Sequence, residues 1–257
     1  LSVIVLGDES GYEIGDVQKV KLAAIEAEWE TEPAPAGFNI IAFPNQEEMK
    51  NDFAIKIPYV MGIIATRSLD KEVTGLKDLM ANHEARIRNG MVAYGLLQKL
   101  KAGDKSEHIL AEFKSRQKDL GYGLLVKKYA PDVVNATETH IQAAVKDSIP
   151  RVAPLFWSFR VMVLCGFSML LLMVLAVYAV VKRNIENRTK LLKFALYSLP
   201  LPWIAAQTGW IVAEYGRQPW TIGEVLPTHL SVSSISSGDV WGSILALVAF
   251  YTVLLII

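Results

Sequence analysis

The sequence predicts an all-α fold. It is a transmembrane helical bundle of about three spans, plus the tail of an earlier one, joined to a largely helical loop domain outside the cytoplasm. Three observations predict it. Charge-free apolar runs of membrane length fill the second half. Charge is divided unevenly: residues 8–151 hold 19 Lys+Arg and 22 Asp+Glu, a net of −3, while residues 152–257 hold 7 and 4, a net of +3. The first half shows helical periodicity and cap signals, and no run in it has convincing strand alternation. At 52% apolar, 20% charged and a mean hydropathy of +0.29, the chain is too apolar for an average soluble domain and too charged for a bundle wholly in lipid. Near-neutral charge in both halves argues against a nucleic-acid partner.

Residues 1–7, LSVIVLG, read as the end of a preceding transmembrane helix. No basic stretch precedes them, so they do not resemble a signal peptide. The first residue is Leu1 and the last apolar run reaches Ile257 without a polar flank, so the sequence reads as part of a longer membrane protein.

Residues 8–151 form the loop region. Asp16 is placed to cap a helix through Glu30, with Leu22, Ile25 and Trp29 as one apolar stripe. The break TEPAPAG follows, then an irregular stretch to about Pro58. Gly75 to Lys101 reads as helix. Asp104 and Glu107 resemble a capping box opening a helix to about Lys128. Thr137 starts another, ending before Pro150.

Residues 152–257 carry the spans, at about 155–181, 194–213 and 240–257. Val161–Val181 gives 21 residues without a charge, Phe194–Ala213 gives 20 and Val240–Ile257 gives 18. A bilayer core needs about 20 apolar residues as helix. Pro200 and Pro202 predict a kink in the second span, and Gln207 and Thr208 a face turned to protein or cofactor. Asp239 is a suitable N-cap for the third. The turn Lys182–Lys193 carries five basic residues against one acid, which places it in the cytoplasm and residues 8–151 on the outer side. The single cysteine, Cys165, builds neither a disulfide framework nor a cysteine metal site.

The stretch GWIVAEYGRQPWTIGEVLPT, Gly209 to Thr228, sets Glu214 and Arg217 three residues apart where a span ends, with Trp210 and Trp220 on either side. Read alone, it is an interfacial anchor. Ionisable groups at a membrane edge are nonetheless functional candidates. The string closely resembles the signature of subunit I of the cytochrome bd family of quinol oxidases, in which AEYGRQPW and GEVLPT recur. Three further stretches resemble the same subunit in order: GDESGYE (Gly7–Glu13), KLAAIEAEWE (Lys21–Glu30) and IPRVAPLFWSFRVMV (Ile149–Val163). The resemblance covers the whole chain.

What the resemblance implies is an enzyme, a quinol:oxygen oxidoreductase of the bacterial inner membrane. Such an enzyme oxidises ubiquinol or menaquinol at the outer face and reduces oxygen to water through a low-spin haem b, a high-spin haem b and haem d. Its partners would be membrane lipid, a second large subunit and a small single-span subunit. Met162, in FRVMV, would be the axial ligand of the low-spin haem b, with Arg160 supporting that haem. A thioether is a suitable haem ligand, and a guanidinium pairs with propionates. Glu214 would serve the high-spin haem b as ligand or close neighbour, with Arg217 neutralising charge. Trp210, one turn earlier on the same face, would pack on a porphyrin.

Lys21 and Glu26 would bind and oxidise quinol, Lys21 as hydrogen-bond donor and Glu26 as proton acceptor. Five residues apart, they lie about 140° apart around a helix and share no face. Without the resemblance they read as a solvated surface. Asp8 and Glu9 are weaker candidates for the same site.

His83, His108, His140 and His229 all lie outside the spans and read as surface residues, so the resemblance puts the histidine haem ligands outside this sequence. Gln207 stands where many family members carry an acid. A non-enzymatic receptor or transporter module with an outer helical domain is the alternative on topology alone.

Overall fold

The computed structural model describes residues 2–62, 67–68 and 70–256, with side chains at all of these except 2–4, 8 and 16. Helix α1 (Ser2–Val17) runs past the expected end of the first segment and stops at Gln18, where φ is −129°. Helix α2 (Lys19–Glu26) follows. Asp16 therefore lies inside α1 rather than at the start of a helix, and α2 ends four residues before Glu30. Ala27 takes the left-handed conformation with φ 52°, and its N–H reaches the carbonyls of Ala23 and Ala24. That turn sends Glu28 and Trp29 inward, each 4% exposed.

Residues 38–57 correct the expectation of a strand-free loop. Strands β1 (Phe38–Asn45) and β2 (Lys50–Ile57) form an antiparallel hairpin. Asn45 Oδ1 holds its turn by accepting the N–H groups of Glu47 and Glu48 at 3.1 Å each. Register shifts at Asn39/Ile41 and Ala42/Pro44 break the period-two pattern, which is why the sequence hides the strands.

Helix α3 (Leu76–Lys101) starts after Gly75 as the sequence predicts. The helix expected from Asp104 to about Lys128 instead begins after Ser106, which makes no side-chain cap bond, and is divided. It comprises α4 (Glu107–Arg116), a 3₁₀ turn, α5 (Leu120–Leu125) and a second 3₁₀ turn. The division lets α5 lie against α3 backbone to backbone: a β-carbon on Gly90 would stand 2.1 Å from Asp119 O and 2.4 Å from Gly123 N. Helix α6 (Glu138–Asp147) opens on a capping box made by Thr137 and His140.

Helix α7 (Val152–Val181) has 30 residues, so it is about 45 Å long. A bilayer core takes about 30 Å. The surplus lies at its start, where Val152, Leu155 and Phe156 are fully buried in the main hydrophobic core, and α7 packs against α2 and β1. Burying a side chain such as Phe156 stabilises the fold by about 1.5–3 kcal/mol. The loop region is thus built onto the end of a membrane-length helix.

The second expected span is two helices, α8 (Thr189–Tyr197) and α9 (Leu201–Tyr215). They part at Ser198–Pro200, because the prolines at 200 and 202 supply no N–H to continue α8 and favour the start of α9. Helix α9 packs along α7. A short hairpin follows, β3 (Trp220–Ile222) and β4 (Leu226–Pro227). Helix α10 (Ser237–Ile256) has no buried residue. Its start is capped by Ser236, whose Oγ accepts the Asp239 N–H at 3.3 Å, so Asp239 sits in the first turn rather than at the cap. Helices α7 and α10 are long and apolar enough to cross a membrane.

Candidate active site

Arg160 projects from α7 toward the end of α2. Its Nη2 donates to Glu26 Oε2 at 2.7 Å and also to the Asn39 carbonyl, and its Nη1 donates to the Ile25 carbonyl. The guanidinium lies 3.7 Å from the centre of the Phe156 ring. The pair is nearly dry, with side-chain exposures of 13% for Arg160 and 4% for Glu26. Asn39, on β1, donates through Nδ2 to the Glu26 carbonyl at 2.9 Å and to Glu28 Oε1 at 3.0 Å. Lys56, on β2, donates to Glu28 Oε2 at 3.3 Å and contacts Glu32.

Burial pushes the Glu26 carboxyl up to about 7, against the pull of Arg160. Burial likewise pushes Glu28 up to about 7, against Lys56. Two atoms in this cluster, Asn39 Oδ1 and Arg160 Nε, have no hydrogen-bond partner among the described residues.

Lys21 faces another helix. Its Nζ donates to the Ala213 carbonyl at 3.1 Å, in the last turn of α9 where the helix dipole favours a cation. Its stem lies across Gly216, 3.0 Å from where a β-carbon would stand. Burial lowers its proton affinity, Arg217 lowers it further and Glu214 opposes both. Glu214 and Arg217 pair at 3.4 Å with both side chains about half exposed. Trp210 is 65% exposed and stands one turn before Glu214. On the facing side of α9, a β-carbon at Gly209 would lie 3.1 Å from Met162 Sδ, so α7 and α9 approach closely at the methionine.

A second ionic cluster holds the β3–β4 hairpin. Arg86, on α3, donates through Nε to Asp119 Oδ1 at 2.8 Å and through Nη1 and Nη2 to the two oxygens of Glu224 at 2.9 Å each. Tyr122 donates to Glu224 Oε1 at 3.1 Å and packs between His83 and Trp220, with ring centres 5.0 Å from each. Glu224 has a φ of 60°, a conformation that costs a non-glycine residue about 1–2 kcal/mol and that these bonds hold in place.

The histidines correct a sequence expectation. His108 is exposed, but His83 is buried with Nδ1 2.9 Å from Ser148 Oγ, His140 closes the α6 cap, and His229 is partly buried. Burial pushes His83 down to about 4.

The family model described as cytochrome bd terminal oxidase subunit I matches residues 1–257. The chain is 47% identical over 256 residues to the cytochrome bd-II ubiquinol oxidase subunit 1 of Escherichia coli (strain K12), covering 100% of this chain and 50% of that protein. This chain belongs to the cytochrome bd terminal oxidase subunit I family. It is also 26% identical over 255 residues to the cytochrome bd ubiquinol oxidase subunit 1 of Bacillus subtilis (strain 168), covering 99% of this chain and 42% of that protein. The chain spans about half the length of the curated relatives it matches.

For a cytochrome bd subunit I chain, the structure gathers most residues singled out from the sequence at one end of the α7–α9 pair. Arg160 and Glu26 meet directly. Lys21 joins the end that carries Glu214 and Arg217. Met162 lies two residues beyond Arg160, against Gly209. Trp210 and Gln207 lie on exposed parts of α9. Asp8 has no described side chain, and Glu9 pairs with Arg67 at 3.1 Å.

The donor set fits haem iron: Met162 offers a soft thioether, Glu214 a hard carboxylate and Arg217 a half-exposed guanidinium suited to propionates. Arg160 is different, because its bonds to Glu26 and two carbonyls leave Nε as its unpartnered donor. Sequence reasoning passed over Glu28, Asn39 and Lys56. The one signal for Glu28 was its place as the middle acid of EAEWE, which reads as surface on a helix; the left-handed turn at Ala27 is what buries it.

Proposed function

We propose that this chain supplies the quinol-oxidising site and part of the haem-holding frame of a membrane-bound quinol:oxygen oxidoreductase. The observation that carries the reading is the buried Glu26–Arg160 pair. It joins the loop helix α2 to α7 two residues before Met162. Lys21 joins the same short helix to α9 one residue before Glu214.

In this reading the quinol hydroxyl donates its proton to Glu26, a carboxylate poised near neutrality by burial. Lys21 donates a hydrogen bond to a quinol oxygen. Arg160 holds Glu26 in place and stabilises its charged form. Bound haems b and d would supply the redox chemistry that carries electrons from quinol to oxygen. Met162 would hold the low-spin haem b, and Glu214 with Arg217 and Trp210 would border the high-spin one. The relatives' names support ubiquinol as the substrate class. Residues 8–151 would lie on the outer side of a bacterial inner membrane, so protons taken from quinol leave outward. The complex would include a second large subunit and a small single-span one.

The test uses the complete complex. Met162→Leu is expected to change the reduced-minus-oxidised spectrum of the low-spin haem b. Lys21→Ala and Glu26→Ala are expected to slow quinol oxidation with haem content intact. An unchanged spectrum in the first and unaffected turnover in the others would remove these assignments.

A further inference from the structure

Glu26 is 4% exposed, so a proton placed on it needs a way out. Side-chain exposure rises along one line of groups: 6% at Glu28, 26% at Glu32 and 34% at Lys56. We propose that Glu28 is the next proton acceptor after Glu26, reached through a water seated on Asn39 Oδ1, and that it delivers the proton to solvent at the Lys56–Glu32 edge. This rests on the reading of Glu26 as the group that deprotonates quinol.

The Asn39 amide carries the argument. Its Nδ2 points at two acceptors, the Glu26 carbonyl and Glu28 Oε1, so its orientation is set by the network. Its Oδ1 is then left without a donor among the described residues, in a residue 1% exposed. A buried carbonyl in that state costs about 1–3 kcal/mol. A water that donates to it removes the cost and stands in the cluster that holds both carboxylates. Arg160 Nε is a donor without an acceptor in the same cluster.

Both carboxyls are pushed up to about 7, so neither traps the proton against the other. The groups facing Glu28 are Asn39 from β1, Lys56 from β2, Arg160 from α7, and Glu26 and Glu32 from its own segment. The balance is simple. An O–H bond of quinol breaks, one forms on Glu26, that proton moves to Glu28 and then to bulk water, and the electron leaves separately toward haem.

Glu28 acts through Glu26 and touches no substrate, so the test needs a readout beyond loss of rate. In the complete complex, Glu28→Gln keeps the side chain's length and removes its proton affinity. The expected result is a fall in kcat for quinol oxidation of about tenfold or more. KM and the haem spectrum should stay unchanged and the solvent deuterium isotope effect on kcat should rise, with partial rescue by Glu28→Asp.

If Glu26→Gln abolishes turnover while Glu28→Gln leaves kcat and the isotope effect unchanged, the relay is overturned and the quinol site stands. If Glu26→Gln retains full turnover, both fall. Should Glu28→Gln assemble without haem, Lys56→Gln decides. Removing that cation raises the proton affinity of Glu28, so the acid limb of the pH–rate profile is expected to move to higher pH. An unmoved limb overturns the relay.

Discussion

The two arginine clusters are built from the same parts and reach opposite results. Arg86 meets Glu224 with both nitrogens of its fork and Asp119 with the third, and Tyr122 completes the bonding of Glu224. Hydrogen bonds from Arg86 hold the Glu224 carboxyl below its usual range. Arg160 meets one carboxylate and two carbonyls, and an acceptor and a donor beside it stay unpaired. Glu26 is pushed up to about 7 by burial in spite of its cation. A charge pair with every partner in place is a fastening. A drier pair with gaps in it keeps a carboxylate that can change protonation.

Removing each arginine in turn should break the comparison most. Arg160→Leu leaves Glu26 as a buried carboxylate without its cation, a loss of about 3–5 kcal/mol. The thermal midpoint of the solubilised complex should fall sharply; a fall no larger than that for a surface variant would mean that water already reaches Glu26. Arg86→Gln should cost less, about 1–3 kcal/mol, because Asp119 keeps its bond from Asn89 and Glu224 can turn to solvent. Limited proteolysis should then cut the 220–227 hairpin faster while the haem spectrum holds. A changed spectrum would show that this cluster also serves the haem side.

Acidity should pull the two regions in opposite directions. Glu26 and Glu28 have folded values of about 7 against ordinary values of 4.5, so between these limits the folded form binds more protons. Their region therefore loses stability as pH rises from 4.5 to 7. His83 has a folded value of about 4 against 6.5, so between those limits the unfolded form binds more protons. Its region loses stability as pH falls from 6.5 toward 4. Hydrogen exchange, corrected for intrinsic rates, should show α2 better protected at pH 5 than at pH 7, and α3 and α6 less protected. Changes of one sign in both would refute the contrast.

The smallest effect is expected at Arg217→Gln. Its pair with Glu214 is long and half exposed, so the loss in stability should be about 0–1 kcal/mol by thermal unfolding. A larger loss would mean that α9 ends in a dry site after all.

Two of the three apolar runs were legible as long helices: Val161–Val181 lies wholly within α7 and Val240 to Ile256 within α10, and α3 and α6 begin where Gly75 and Thr137 mark them. What the sequence concealed depends on distant contacts. The β1–β2 hairpin carries two register shifts, so its side chains follow no simple period. Glu28 is polar in sequence and buried in the fold because a left-handed turn at Ala27 follows α2, which no local signal demands. The resemblance singled out Lys21, Glu26 and Arg160 from motifs. Asn39, which ties Glu26 to Glu28, belongs to no motif quoted from the sequence.

Gly209 and the residue that ends α9, Gly216, make this helix a ruler. One faces the sulfur of Met162 and the other faces the stem of Lys21. They stand seven positions apart along the helix and its C-terminal end, a rise of about 10 Å. A residue of α2 and a residue of α7 are thus both gauged from a single helix, at notches where a side chain would crowd them. Sliding or tilting that helix shifts both marks together, so the spacing between them survives movements that would change either one alone.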